Sequence, residues 1–198
     1  MMANIQLTNI AIFASGYGSN FQAIIDAVKV KRIDACISLL VTDKPDCYAV
    51  KRAIDNNISV FSFNPKDYTC KEEYEREMAT VLQRDNVQLI VLAGYMRIVG
   101  SVLLEAFPNK IINIHPALLP AFPGKNGITQ AYNYGVKIYG VTVHYVDAGI
   151  DTGKIIDQMS FKATGNESLE EIEAQIHHLE HQLYPEVIQR VLKKLTPF

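Results

Sequence analysis

Residues 9–25 read NIAIFASGYGSNFQAII. The first six, Asn9 to Ala14, form a short and almost unbroken apolar run, as in a strand buried on both faces. Gly16 and Gly18 then let the backbone turn tightly. From Asn20 to Val30 the apolar residues recur at helical spacing. A strand, a glycine turn and a helix make half of a βαβ unit, and the alternation continues along the chain.

Strands follow at 35–42 (ACISLLVT), 59–63 (SVFSF) and 89–93 (LIVLA), with helices at 48–57 and 71–85 between them. The strands are continuously apolar rather than alternating, the pattern of a parallel sheet covered by helices on both faces. Three further strands, KIINIH (110–115), GVTVHYV (140–146) and KIIDQMSF (154–161), have only a proline-rich loop among them. The sheet is therefore expected to become mixed there. The fold class is α/β, a Rossmann-like mostly parallel sheet with helices on both faces. Ser168 and Glu171 form a capping box that opens a last helix running to about Leu195. Pro185 is expected to kink that helix or divide it.

The chain has 198 residues, 48% of them hydrophobic, which favours a single domain. A net charge of −2 with 20% charged residues argues against a broad nucleic-acid surface but leaves room for a local anion pocket. The N-terminus lacks the pattern of a signal peptide. The most apolar run, LIVLAGYM, is too short to span a bilayer. Cys36, Cys47 and Cys70 form no CxxC pair and no complete disulfide set, so they read as free thiols of a cytoplasmic protein.

The first loop carries a phosphate signal. Ser19 and Asn20 are placed to cap the following helix, whose first amides then point outward at an anion. Phe21 stands where a third glycine of GxGxxG would be, and no lysine follows as in a Walker A loop. A single phosphate ester fits better than a dinucleotide or a nucleoside triphosphate. Glycine and serine also serve simply to turn a chain, so the loop alone leaves both readings open.

In KIINIHP, Asn113 and His115 share one face of a strand and Ile112 and Ile114 the other. Pro116 stops regular pairing, so the polar pair stands at the carboxyl end of a strand, where open α/β sheets place their active sites. A histidine there is also compatible with a purely structural hydrogen bond. Downstream, DAGIDTGK (147–154) places Asp147 and Asp151 among glycines. It is not a calcium loop, because Gln158 stands at the twelfth position. For Asp147 a plain β-turn role stays open. Thr142 and His144 share a face of their strand, and His144 is equally compatible with a packed, satisfied histidine.

Neither GxSxG nor HExxH is present. Asparagine, histidine and aspartate without a nucleophile suit a transfer in which the substrate supplies one. Asparagine N–H and imidazolium stabilise a carbonyl oxygen that gains charge. A neighbouring carboxylate favours the charged imidazole, and the group shuttles protons.

SGYGSN (15–20), LAGYMRIV (92–99), NIHPALLPAFPG (113–124), GVTVHYVDAGIDTG (140–153) and LEHQLYP (179–185) resemble, in order and over nearly the whole chain, the folate-dependent formyltransferases. SGYGSN and LEHQLYP narrow the likeness to the branch acting on glycinamide ribonucleotide. The resemblance implies Asn113, His115 and Asp151 as catalytic, with Asp151 tuning His115. It implies Gly18, Ser19 and Asn20 on the substrate phosphate and His177, His178, Leu179 and Glu180 on the glycinamide. It implies 10-formyltetrahydrofolate as co-substrate, without a metal. That folate would lie against Met96, Arg97, Ile98 and Val99, the turn Asp147, Ala148, Gly149, Ile150 and Asp151, and also Asn113 and Lys71. Residues to about 100 then form a phosphate-binding half and the remainder a catalytic, folate-binding half. Implied partners are small molecules only, with no nucleic acid or membrane, in a monomer or homodimer.

One departure stands out: after FPG the chain reads Lys125-Asn126-Gly127-Ile128, where some relatives carry histidines and threonines. Leu119–Pro120 is a candidate cis bond. Among other folate enzymes, a methionyl-tRNA formyltransferase needs a further C-terminal domain and a basic surface, and a formyltetrahydrofolate deformylase a regulatory domain before the first strand. Here a strand begins by Asn9 and one helix follows the sheet. A sugar-amine formyltransferase is disfavoured by the phosphate-ester loop. A binding module that has lost activity predicts loss of one of the three polar residues, and all three are present.

Overall fold

A computed structural model describes residues 7–195. Five strands run parallel: β1 (Thr8–Phe13), β2 (Ala35–Thr42), β3 (Ser59–Ser62), β4 (Val87–Leu92) and β5 (Ile111–His115). β6 (Ile138–Tyr145) and β7 (Ile155–Lys162) extend the same sheet through antiparallel pairings, β5 with β6 and β6 with β7, and the β6–β7 connection holds no crossover helix. The order is β3-β2-β1-β4-β5-β6-β7, so the direction of winding reverses between β1 and β4. The expected mixed sheet is found; β2 has the bounds read in the sequence, and the other strands differ from theirs by one or two residues.

Both faces are covered. Ile10 and Ile12 of β1, with Ala14 just after it, pack with α1 (Ser19–Lys29), α2 (Tyr48–Asp55) and α6 (Leu169–Leu195). Ala11 and Phe13, from the alternate positions, pack with α3 (Lys71–Arg84) and α4 (Ser101–Ala106). Each fully buried isoleucine or phenylalanine among them stabilises the fold by about 1.5–3 kcal/mol. Tyr184 of α6 is wholly buried against the sheet. Its hydroxyl lies 2.8 Å from the Leu92 carbonyl and 3.2 Å from that of Ile112, so one phenol joins α6 to β4 and β5.

Two short helices lie where the sequence reads as loop: α4, and α5 (Gly127–Tyr134) within the proline-rich stretch. The capping box is formed, with Ser168 N–H donating to Glu171 Oε2 (2.7 Å) and Glu171 N–H to Ser168 Oγ (3.2 Å). Pro185 does not divide the last helix, which is one element from end to end. Proline removes only one donor there, and buried Leu183, Tyr184, Val187 and Ile188 hold the turns on either side.

Candidate active site

The site lies beyond the carboxyl ends of β1, β4 and β5, at the reversal of winding where open α/β sheets bind their ligands. Ser15 N–H donates to the Gly94 carbonyl (3.1 Å), which joins the loops after β1 and β4. Asn113 pairs with Leu92 of β4 on one side and with His144 of β6 on the other. His115 stands opposite Thr142. Strand alternation therefore puts Asn113, His115, Thr142 and His144 on one face, with Ile112, Ile114, Val141 and Val143 turned into the core.

Asp151 comes from the β6–β7 connection. That connection leaves the sheet beside Ile111 and then folds back towards His115. Asp151 has φ 55°, a left-handed conformation that aspartate tolerates better than most residues. Its Oδ2 lies 3.3 Å from His115 Nδ1 and accepts the Gly124 amide at 2.7 Å. Its Oδ1 lies 3.5 Å from His144 Nε2. Burial pushes the Asp151 carboxyl up. The His144 hydrogen bond, the Gly124 amide and the charge available on both imidazoles outweigh this and hold it below the usual carboxylate range.

His115 is buried, and both of its ring nitrogens face acceptors, the second being the Phe122 carbonyl, 2.8 Å from Nε2. A Cβ on Gly127 would sit 3.1 Å from that Nε2, so the start of α5 closes on the imidazole where only glycine fits easily. His144 Nδ1 donates to the Tyr145 carbonyl (2.9 Å), and its Nε2 faces Asn113 Nδ2 at 3.3 Å. His144 thus links Asn113 to Asp151, a role that strand alternation alone did not assign. The signal that locates it is the antiparallel register of β5 and β6. Thr142 pins the loop after β5: its Oγ1 donates to the Ala117 carbonyl (2.7 Å) and accepts the Leu119 amide (3.0 Å). Leu119–Pro120 is cis.

At the loop after β1 the expected capping by Ser19 and Asn20 is not seen. The helix already begins at Ser19, so the N-cap is Gly18 (φ 73°, left-handed), with no side-chain cap bond. The first amides are left open. Asn20 Nδ2 donates instead to buried Glu180 Oε2 (3.0 Å), which also receives His177 Nδ1 (2.9 Å). The bond to Glu180 raises the His177 imidazole above its ordinary pKa, against the effect of burial. Asn20 Oδ1 and His181 Nε2 are buried without a hydrogen-bond partner among the described residues. A cleft of 470 Å³, lined in part by Ser19, Gln22, Arg52 and His181, opens beside this loop.

The remaining implied residues divide. Met96 and Ile98 are largely exposed, as is Ile150 in the β6–β7 connection, whereas Val99 turns into the core. Arg97 is ion-paired with Asp43. Asp147 spends its carboxylate within its own turn, on the Gly149 amide (3.0 Å) and Thr152 Oγ1 (2.7 Å). Lys71 pairs with buried Glu75 at 3.8 Å, and its side chain approaches Gly100. His178 is not drawn into the cluster: it is exposed and bonded to Gln182 (2.8 Å). Leu179 packs against the core.

This arrangement can hold a carbonyl oxygen with N–H donors beside a carboxylate that accepts protons. A family model described as formyl transferase matches residues 8–188. The chain is 50% identical to the phosphoribosylglycinamide formyltransferase of Bacillus subtilis, over 92% of this chain and 93% of that protein. The chain belongs to the phosphoribosylglycinamide formyltransferase family. Among solved structures, glycinamide ribonucleotide transformylase 1 of Geobacillus kaustophilus superposes with a TM-score of 0.92 at 48% identity, covering 94% of this chain and all of that one. The Bacillus halodurans phosphoribosylglycinamide formyltransferase gives 0.92 at 44% identity, covering 96% and 97%. Membership of that family makes the chain a transferase.

Proposed function

We propose that this enzyme transfers the formyl group of 10-formyltetrahydrofolate to the primary amine of N1-(5-phospho-D-ribosyl)glycinamide, giving the N-formyl product of de novo purine synthesis. The observation that carries the reading is the convergence of Asp151 and His144 on Asn113 and His115. The reading also has Gly18, Ser19 and Asn20 receive the phosphate at the open start of α1. Glu180, which already accepts from Asn20 and His177, then binds the glycinamide end.

The folate fits the exposed apolar side chains of Met96, Ile98 and Ile150, which suit a flat ring system better than water. Bound there, it supplies the formyl group. Asn113 Nδ2 and His115 stabilise the oxyanion that forms when the amine nitrogen bonds to the formyl carbon. His115 Nε2–H is held by Phe122. Nδ1 faces Asp151 at 3.3 Å, the longer of the two contacts, and on this reading it is the ring donor shared with the substrate oxygen. Asp151 takes the proton released by the amine and returns it to the folate nitrogen as the bond from that nitrogen to the formyl carbon breaks. His144 keeps Asn113 and Asp151 in register. Residues to about 100 serve the phosphate and the rest serve catalysis and folate, with Met96 to Val99 at the junction. A reducing, cytoplasmic setting suits the free thiols Cys36, Cys47 and Cys70.

Mass spectrometry of the products tests this reading. Incubation with 10-formyltetrahydrofolate and glycinamide ribonucleotide is expected to yield N-formylglycinamide ribonucleotide, and an amino-sugar nucleotide is expected to stay unmodified. Preferential formylation of the sugar amine would overturn the proposal.

A further inference from the structure

The segment from Ala93 to Gly100, between β4 and α4, is irregular, yet buried carboxylates hold it around Met96 and Arg97 and again at Gly100. Ser15, buried just past β1, accepts the Met96 amide on Oγ at 3.0 Å. The same hydroxyl donates to Asp43 Oδ1 at 2.5 Å. Asp43 follows β2, and its side chain is only 5% exposed. Its other oxygen, Oδ2, accepts Arg97 Nε at 2.8 Å. At the far end, Glu75 of α3 accepts the Gly100 amide on Oε1 at 2.6 Å, with its side chain 2% exposed. A Cβ at Gly100 would lie 2.5 Å from Glu75 Oε2, so only glycine permits this approach.

Burying a carboxylate is costly unless its oxygens are hydrogen-bonded. Here each carboxylate directs bonds at one stretch of chain that has no sheet or helix ladder of its own. Met96 carries the first anchored amide and Ile98 stands between Arg97 and Gly100, and their side chains are 62% and 58% exposed. Large apolar side chains held out in water by a fixed backbone form a preorganised surface, which lowers the ordering cost of binding.

We propose that Asp43 is a positioning residue for the formyl donor. Directly through Arg97 and indirectly through Ser15, it sets the segment against which the folate ring packs, and Glu75 locks the other end. This rests on the reading that Met96 to Val99 lines the donor pocket.

Steady-state kinetics with 10-formyl-dideazafolate and glycinamide ribonucleotide test it in Asp43→Ala, Ser15→Ala and the double variant. Loss of a charge-assisted hydrogen bond should raise KM for the folate about 10- to 100-fold in Asp43→Ala. KM for the amine substrate and kcat should hold. Ser15→Ala should move the same constant, and the double variant should fall short of the product of the two effects, because both act through one network. Should Asp43→Ala fail to fold, Ser15→Ala alone carries the test. An unchanged folate KM, or equal losses in both KM values and kcat, would overturn the positioning role. Ile98→Asp separates the two levels. If it too leaves the folate KM unchanged, the pocket reading fails. If it raises KM while the Asp43 and Ser15 variants do not, only the anchoring fails.

Discussion

His115 faces an acceptor at each ring nitrogen, so its orientation is fixed before any substrate arrives. Replacing it by alanine removes a positioned donor while leaving the phosphate loop and the apolar surface intact. His115→Ala is therefore expected to lower kcat by about 10²–10⁴-fold with little change in either KM. Turnover at the wild-type rate would refute the role. Asp151 offers a test through pH. Its folded pKa lies below the unfolded value, so its contribution to stability is present above the ordinary carboxylate range and lost as pH falls through the lowered value. The thermal midpoint of the wild type should drop more steeply than that of Asp151→Asn below about pH 4. Parallel curves would count against the coupling, and asparagine is a fair replacement because it too accepts a positive φ. Strand alternation makes the pairing of Asn113 with His115 legible in the sequence whatever the tertiary structure. The link through His144 is not legible, because it depends on which residue of β6 falls opposite Asn113, and register is set by the whole sheet.

Helix α6 spans 27 residues, and Tyr184 fastens it to the two strands that carry the site. Tyr184→Phe keeps the ring but deletes the hydroxyl, leaving the Leu92 and Ile112 carbonyls without that donor. The expected cost is about 1–3 kcal/mol, read from urea unfolding, with kcat affected less than stability. No loss of stability would mean that the bond contributes nothing. The long elements are legible because apolar periodicity and a capping box speak for them locally. α4 and α5 are not. They have six and eight residues, stand among prolines and glycines, and take their shape from what they pack against. α1 starts one position before the expected Asn20 because Gly18, in a left-handed conformation, takes the capping place itself. That shift leaves the first amides freer for an anion. Pro185 signals a break that the surrounding core overrides.

Across the whole molecule, the reversal of winding between β1 and β4 brings the loop after β1 and the segment from Ala93 to Gly100 side by side. The antiparallel turn into β6 brings His144 and Asp151 back onto β5. A parallel β6 would carry neither. On the proposed reading, this architecture holds the amine substrate and the formyl donor on adjacent loops, with the proton-handling groups between them. Such a site should do little with the donor alone, because the nucleophile comes from the second substrate. The most direct measurement is the absorbance change on deformylation of 10-formyl-dideazafolate, with and without glycinamide ribonucleotide. Turnover that requires the amine is the predicted result. Equal turnover without it would make the enzyme a hydrolase of the formyl donor and would contradict the account.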